Sequence, residues 1–339
     1  MKRKSLIVCI VIMLFTMSAL ACAKNTPALI EQESDLLDDS IKDDRETADP
    51  LKPDDIRPEP TAVIESDNKP EYIEDIVINP IIMPTPPYEY YISNNIARTQ
   101  VVPLELEMIS SGANEVTDTK NWFIDNDLPM NFYALPYSNS DLWEDIPDEI
   151  GLTWNDLMIT GGFYDDSYIY CTYGLHRYVG FILNIYDVNT YKMIYTFDFS
   201  NYLYSPDYIE EEFVQQRIFW AEIRDNILYV SHGHTTYAYC SYDMNAYITA
   251  IDLSDMNVLW RSESLVSNSE NFLIVNDVIV TGYGYTDEKD YIYQLNIHTG
   301  ETIDRILIKS APYYFYYIDN VLFVRAYDTN YEFKEKSTK

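Results

Sequence analysis

Residues 272–306 form a complete four-stranded unit, and this unit most limits the folds that are available to the chain. Apolar runs at 272–275 and 278–280 flank a two-residue turn, a polar hairpin tip follows at 286–290, and two further strands end the unit. Four short strands joined only by hairpins, repeated every few tens of residues, are typical of a β-propeller. The unit therefore predicts an all-β fold of four-stranded antiparallel blades.

Two signals of this unit recur along the chain. The first is an Asp/Asn pair ahead of a β-rich run, and its copies are Asp225-Asn226, Asn276-Asp277 and Asp319-Asn320. Asp and Asn tolerate the positive φ that two-residue hairpin turns require. The second is the end of the third strand, and its copies are Asp187, Asp252 and Asn296. Their spacing is near the period of four-stranded blades.

The segment from Ala250 to Trp260 resembles the repeat of quinoprotein-type (PQQ-like) propellers. That repeat has Ala, any residue, Asp, a Thr-Gly turn, and Trp four residues after the Gly. The next unit keeps the turn as Thr299-Gly300, with Asp304 in the Trp position. The resemblance implies a propeller in which the glycine takes a left-handed turn and the aromatic ring packs between blades. It implies no quinone cofactor, because relatives include plain scaffolds and none of the quinone enzymes' metal-site motifs is present.

The number of blades follows from length and period. The 250 or so residues of the folded part have room for about five or six blades. The last unit, which begins near residue 314, supplies only three strands. A strand within 101–109 is therefore expected to complete it, since an unpaired sheet edge promotes aggregation. An open, curved array is the alternative.

The N-terminus predicts export and a lipid anchor. Residues 1–4 are basic and residues 6–20 are apolar, which is typical of a signal peptide and too short for a spanning helix. Cys22, directly after Ala21, resembles the lipidated cysteine of bacterial lipoproteins. We expect a signal peptide at 1–21, lipidation at Cys22, and attachment to the extracytoplasmic face of the cell membrane. An ordinary secretory signal is the alternative.

The charge of the chain is concentrated behind this anchor. The formal net charge is −32, and residues 31–75 hold 17 acidic against 5 basic side chains. An acidic, Pro-rich stretch with so few aromatics cannot offset its chain entropy by burial. We therefore expect a disordered linker at 22–87 and a propeller domain at 88–339. The negative charge also argues against nucleic acid as a partner.

Little in the sequence indicates catalysis. No nucleophile-elbow, phosphate-loop or zinc-protease spacing is present. His232 and His234 share one strand face, a partial metal site at most, and solvent-exposed hairpin histidines are the favoured interpretation. Cys171 and Cys240 either form a disulfide or are separate small apolar side chains. We predict no enzyme activity, no metal and no cofactor.

The connections within each unit predict a binding face. The first and third turns are short, whereas the second connections and the links between units are longer and differ. In a propeller the long connections emerge together, so we expect recognition there. The candidate residues are Tyr237, Tyr239, Tyr242, Tyr283, Tyr285, Asp287 and Glu288, with the acidic insertion 210–212.

Aromatic and acidic side chains suit basic protein patches and sugars. The predicted function is therefore a non-catalytic interaction or scaffold lipoprotein whose partner is an envelope protein or a cell-wall glycan. A glycan- or small-molecule-binding propeller is the alternative, and a glycoside hydrolase is a lesser one.

Overall fold

The computed structural model describes residues 79–114, 119–133, 135, 146–202 and 216–336. The predicted signal peptide, Cys22 and most of the linker lie outside these ranges, as does the acidic insertion 210–212. The predictions made for them stay predictions.

Short strands dominate the described residues, with one helix and two 3-10 turns. In chain order the strands are β1 Ile81–Ile82, β2 Tyr91–Ile92, β3 Leu106–Ala113, β4 Thr153–Trp154, β5 Leu157–Tyr164, β6 Tyr168–His176, β7 Val179–Asp187, β8 Met193–Asp198, β9 Arg217–Arg224, β10 Ile227–Gly233, β11 Tyr247–Asp252, β12 Val258–Arg261, β13 Leu273–Val275, β14 Val278–Tyr283, β15 Asp290–Asn296, β16 Thr302–Ile308, β17 Pro312–Ile318, β18 Val321–Ala326 and β19 Thr329–Glu335. Helix α1 is Thr119–Asp125, and the 3-10 turns are Ser200–Tyr202 and Ala238–Ser241.

The strands form four sheets, which we call blades 1 to 4. Their strand orders are β1-β8-β7-β6-β5-β4, β2-β12-β11-β10-β9, β13-β14-β15-β16 and β17-β18-β19-β3. Apart from β1 with β8, neighbouring strands in these sheets pair antiparallel, so the predicted all-β propeller of antiparallel blades is confirmed. The expected five or six blades are not found, since the described residues make four. The reason is that residues 88–133 add β2 to blade 2, β3 to blade 4, and α1, rather than a blade of their own.

The tight turns have the predicted conformation. Asp225-Asn226 has φ of 51° and 65°, Asp319-Asn320 has 52° and 61°, and Asn276 has 54°. Asn155-Asp156 repeats this at the start of β5, with φ of 46° and 64°. These side chains accept left-handed backbone at low cost, so the first hairpin of each blade is set locally by its turn.

Blade 4 is completed by a strand from the N-terminal side. β3 pairs antiparallel with β19, with Met108 opposite Phe333. The expected fourth strand is therefore confirmed, although it runs over 106–113 rather than within 101–109. The Phe163 and Trp220 rings of blades 1 and 2 stack at 4.1 Å, and Tyr314 of blade 4 meets Trp220 edge-on at 6.2 Å, so aromatic rings of three blades pack together.

Blades 2 and 3 are joined by the tryptophan of the repeat. Gly300 has φ of +71°, and a Cβ there would overlap the Trp260 indole. The indole Nε1 donates a hydrogen bond to the Ile297 carbonyl at 3.0 Å. The left-handed glycine and the interblade aromatic ring that the repeat implies are therefore both present. Glycine is needed here for its backbone angle and for the close approach of the ring.

Residues ahead of position 88 also pack on the propeller. β1 pairs in parallel with β8 of blade 1. Met83 is fully buried, and Tyr202 donates a hydrogen bond to the Pro84 carbonyl at 3.1 Å. Ile81 and Met83 are apolar and pack on the core even though they adjoin the Pro-rich linker, whereas Ile82 between them is exposed.

Cys171 does not form a disulfide with Cys240. It is a free thiol, fully buried on β6. Burial raises its pKa to about 12, so the thiol stays protonated and unreactive at neutral pH. Of the two alternatives, the small apolar interpretation is therefore the right one for Cys171.

Candidate functional site

Two long connections, one from blade 2 and one from blade 3, meet at one end of the propeller. The first joins β10 to β11 and the second joins β14 to β15. The Tyr285 hydroxyl donates to the Thr235 carbonyl at 3.2 Å, and the Ala238 amide donates to Glu288 at 2.7 Å. The two loops therefore support each other, and we call this end of the propeller the loop face.

Three of the candidate tyrosines form a cluster on the loop face. The Tyr237 and Tyr239 rings lie 5.3 Å apart and 30° from parallel, and Tyr285 meets Tyr237 edge-on at 4.7 Å. Tyr239 is 51% exposed. Edge-on and tilted packing of this kind holds aromatic rings in place. The cluster is therefore an ordered aromatic surface that remains open to solvent.

Glu288 holds the cluster in place through both carboxylate oxygens. Oε1 accepts the Ala238 amide at 2.7 Å, and Oε2 accepts the Tyr283 hydroxyl at 2.7 Å. Burial, and then the hydrogen bond to Glu288, raise the pKa of Tyr283 far above its ordinary value, so it remains a donor at any physiological pH. One carboxylate thus ties the 3-10 turn of blade 2 to the loop of blade 3.

Tyr283, which the sequence analysis placed among the ligand-binding candidates, is buried. Its side chain is 3% exposed, because β14 continues through this residue and turns it inward. Tyr283 therefore positions Glu288 rather than meeting a partner. Asp287 is exposed at the loop tip with φ of 65°, and Tyr242 is 53% exposed where the 3-10 turn ends in left-handed backbone.

Blade 4 adds two tyrosines that the sequence analysis did not single out. Tyr327 lies in the turn between β18 and β19, is 60% exposed, and meets Tyr313 edge-on at 6.1 Å. Burial raises the pKa of Tyr313 to about 12, with Tyr327 contributing. Tyr327 lies in the connection between the second and third strands of blade 4, as Tyr285 does in blade 3. Aligning these two connections in the sequence is what could have identified Tyr327 as a candidate.

We call Tyr237, Tyr239, Tyr285, Tyr313 and Tyr327 the tyrosine belt. The belt crosses blades 2, 3 and 4, and Tyr285 contributes a little to the raised pKa of Tyr313, after burial and Tyr327. The blade 3 and blade 4 loops also touch, since a Cβ on Gly284 would overlap Ala311. The belt is thus one continuous feature of the loop face.

Carboxylates lie beneath the belt. Asp290 begins β15, and its Oδ1 is buried without a hydrogen-bond partner. Burial, followed by the charges of Asp328 and Glu288, raises the pKa of Asp290 to about 6, although the Tyr285 amide acts in the opposite direction. Clustered carboxylates under aromatic rings make the loop face attractive to cations.

The two histidines are not solvent-exposed, contrary to the sequence interpretation. His232 is 2% exposed, and burial, then Arg261, lower its pKa well below the ordinary value. Burial and then Arg217 lower the pKa of His234 to about 4. Both rings are therefore neutral at pH 7. Within the described part of the chain, no group of three or more His, Cys, Asp or Glu side chains is arranged to hold a metal ion.

Comparisons with known proteins were made on sequence and on structure. No protein-family model matches the chain, and no curated protein matches it significantly. BamB from Moraxella catarrhalis superposes with a TM-score of 0.31 at 13% identity, over 50% of this chain and 56% of that one. This chain therefore spans about half the length of BamB.

Two further solved structures are similar at the same level. The computationally designed Ika4 protein gives a TM-score of 0.34 at 12% identity, over 56% of this chain and 97% of that one. A europium-containing methanol dehydrogenase gives 0.29 at 12% identity, over 46% and 26%. Among the described residues, no helix has the length and apolar character needed to span a membrane.

Proposed function

We propose that this protein is a lipid-anchored, extracytoplasmic scaffold whose propeller binds a partner protein through the tyrosine belt. The observation that carries the proposal is the belt itself, an aromatic surface of three blades in which Glu288 ties the loops of blades 2 and 3 together through two 2.7 Å hydrogen bonds. Tyrosine provides large contact area at low entropic cost and is enriched where proteins bind one another.

The charge of the loop face supports a basic partner. Glu288 and Asp290 lie among the belt tyrosines, and Asp328 adjoins Asp290. Lysine or arginine side chains would meet both ring faces and carboxylates there. A partner recognised in this way should bind more weakly as salt rises, because the attraction between charges is screened.

A cell-wall glycan is the second candidate. Tyr237 and Tyr239 are tilted by only 30°, and such neighbouring rings offer a platform on which a sugar ring could stack. Binding of this kind would depend little on salt, so the salt dependence separates the two candidates. We propose no catalytic step for either candidate function. The side chains described for the loop face are tyrosine phenols and the carboxylates that support them, and both candidate functions use these groups for binding.

The anchor is proposed from the sequence alone. Cys22 follows a short apolar stretch and Ala21, as expected for a lipidated cysteine. Two or more acyl chains would retain the protein at a membrane, and residues 23–78 would separate the propeller from it. Palmitate should label the wild-type protein but not Cys22→Ala, and a soluble, unlabelled wild-type protein would contradict the anchor.

The binding proposal is tested by photocrosslinking in cells. A photoreactive amino acid at Tyr239 or Tyr327 should trap the partner, because both side chains are exposed on the loop face. The matched control is Ile318, 40% exposed beside the tight turn Asp319-Asn320 at the opposite end. Equal crosslinking from Ile318, or crosslinking from Ile318 alone, would contradict the assignment of the binding face.

Alanine variants give the energetic test. Tyr239→Ala and Tyr327→Ala should weaken binding of the trapped partner about tenfold or more, as interface aromatics do, with Tm unchanged. Ile318→Ala should leave binding as it is. If the tyrosine variants bind normally, the belt is not the interface.

A further inference from the structure

Arg261 is a fully buried cation at the end of β12, and the part of the chain that the structure describes provides it with no carboxylate partner. Its Nη2 lies 2.8 Å from His232 Nε2, and its Nη1 donates to the Pro86 carbonyl at 3.3 Å. Burying an uncompensated charge costs several kcal/mol, so buried arginines are normally paired. Neutral acceptors alone leave this positive charge uncompensated.

Aromatic rings surround the guanidinium. Its central carbon lies 4.2 Å from the Tyr247 ring centroid, 5.0 Å from that of Tyr202 and 5.3 Å from that of Tyr88. Such contacts stabilise a cation in part, but ring faces carry no net charge. Burial still lowers the pKa of Arg261 from its ordinary value.

Three hydrogen-bonding atoms of this cluster have no partner. They are Arg261 Nε, His232 Nδ1 and the Tyr247 hydroxyl. Ser264 lies near the Tyr247 hydroxyl, but the two side chains do not form a hydrogen bond. Because His232 Nε2 accepts from Arg261, its proton is on Nδ1, which is then a donor. All three unpartnered atoms are therefore able to donate, and they belong to residues packed against one positive charge.

From these contacts we infer that the Arg261 cluster is a binding site for a small monovalent anion, of which chloride is the representative. A donor-only set around one buried cation requires an acceptor that carries negative charge. A monovalent ion neutralises Arg261, whereas a divalent ion would leave an excess charge in the interior. Because Arg261 and Tyr247 are fully buried, the site takes a compact ion rather than an organic ligand.

The anion would also hold the segment that leads in from the linker. Pro86 and Tyr88 form one wall of the site, and Tyr202 bonds Pro84 beside it. The ion is thus enclosed when residues 83–88 dock on blade 2. It neutralises the cation that binds this segment, so anion binding and docking of the segment stabilise each other.

The test uses the full chain, purified in sodium gluconate and titrated with sodium chloride at constant ionic strength. Chloride should raise Tm by several degrees with saturation, broaden the ³⁵Cl NMR line, and slow amide exchange at Met83, Thr85 and Tyr88, the residues of this segment that carry an amide hydrogen. Arg261→Gln should abolish all three effects. Tyr247→Phe keeps the ring but removes one donor, and should weaken chloride binding about tenfold.

Tyr202→Phe is the matched control. It removes a hydroxyl of the same cluster that is already bonded to Pro84 and is not a donor for the ion, so it should lower Tm in both salts, and chloride affinity should fall less than in Tyr247→Phe. If Arg261→Gln does not fold, Tyr247→Phe decides the matter. Equal Tm in chloride and gluconate, or broadening that both variants retain, would overturn the assignment and leave water as the partner of these donors.

Discussion

Glu222 should make this protein less stable as pH rises through neutrality. The residue lies on β9, the inner strand of blade 2, with its side chain partly buried. Burial raises the pKa of Glu222 to about 7 from 4.5, with Arg224 opposing and Asp165 adding to the shift. The carboxylate is thus easier to protonate in the folded state than in the unfolded chain.

The sign of the pH dependence follows from proton binding. Below pH 4.5 Glu222 is neutral in both states and costs nothing. Between pH 4.5 and 7 the folded state holds the extra proton, so the free energy of unfolding falls as pH rises. Above pH 7 the full cost remains. A shift of this size corresponds to about 3 kcal/mol at most, and we expect about 2 kcal/mol because the side chain keeps some contact with water.

Glu222→Gln tests this by urea unfolding at pH 4.5, 6, 7 and 8. The difference in the free energy of unfolding, Glu222→Gln minus wild type, should increase by about 2 kcal/mol between pH 4.5 and pH 8. The cost of burying the amide that this substitution introduces is the same at every pH, so it does not affect this increase. Glu149→Gln, which removes a carboxylate at an exposed position, is the matched control and is measured at the same four pH values. Parallel curves for wild type and Glu222→Gln would refute the reasoning.

Three further outcomes are expected. Gly300→Ala should lower the free energy of unfolding by about 3 kcal/mol in a urea titration, because alanine is strained at φ of +71° and its Cβ overlaps Trp260. Gly112→Ala, which has open space around it, should change the free energy of unfolding little in the same titration. Tyr283→Phe should cost about 1–2 kcal/mol by removing one of the two donors of Glu288, and amide exchange at Ala238, the remaining donor, should rise. A chain beginning at residue 114 lacks β3 and exposes the edge of β19, so it should aggregate on size-exclusion chromatography where a chain beginning at 79 remains monomeric.

The fold was predictable from sequence because blade signals are local. Asp225-Asn226 and Asp319-Asn320 specify their hairpins through residues in direct succession, and the alternating runs beside them specify which face is buried. The closing strand was also predictable, since three strands at the C-terminus require a fourth. The number of blades was not, because the two-residue strands β1 and β2 carry too little pattern to assign them to a sheet.

The candidate site was only partly predictable. Loop length placed Tyr237, Tyr239 and Tyr285 on one face, and the structure brings them together. Sequence could not separate Tyr283, which is buried, from Tyr285, because one residue more or less of strand decides which way a side chain points.

The blade unit, its turns and the tyrosine-rich connections could be read from the sequence, because each depends on neighbours within a few residues. Contacts between residues far apart in the chain became known only from the folded structure. It placed Trp260 against Gly300, tied two loops through Glu288, and buried Arg261 between His232 and the incoming N-terminal segment. These contacts join residues from about thirty to nearly two hundred positions apart, and no local pattern encodes such a meeting, because it depends on how complete blades pack against one another.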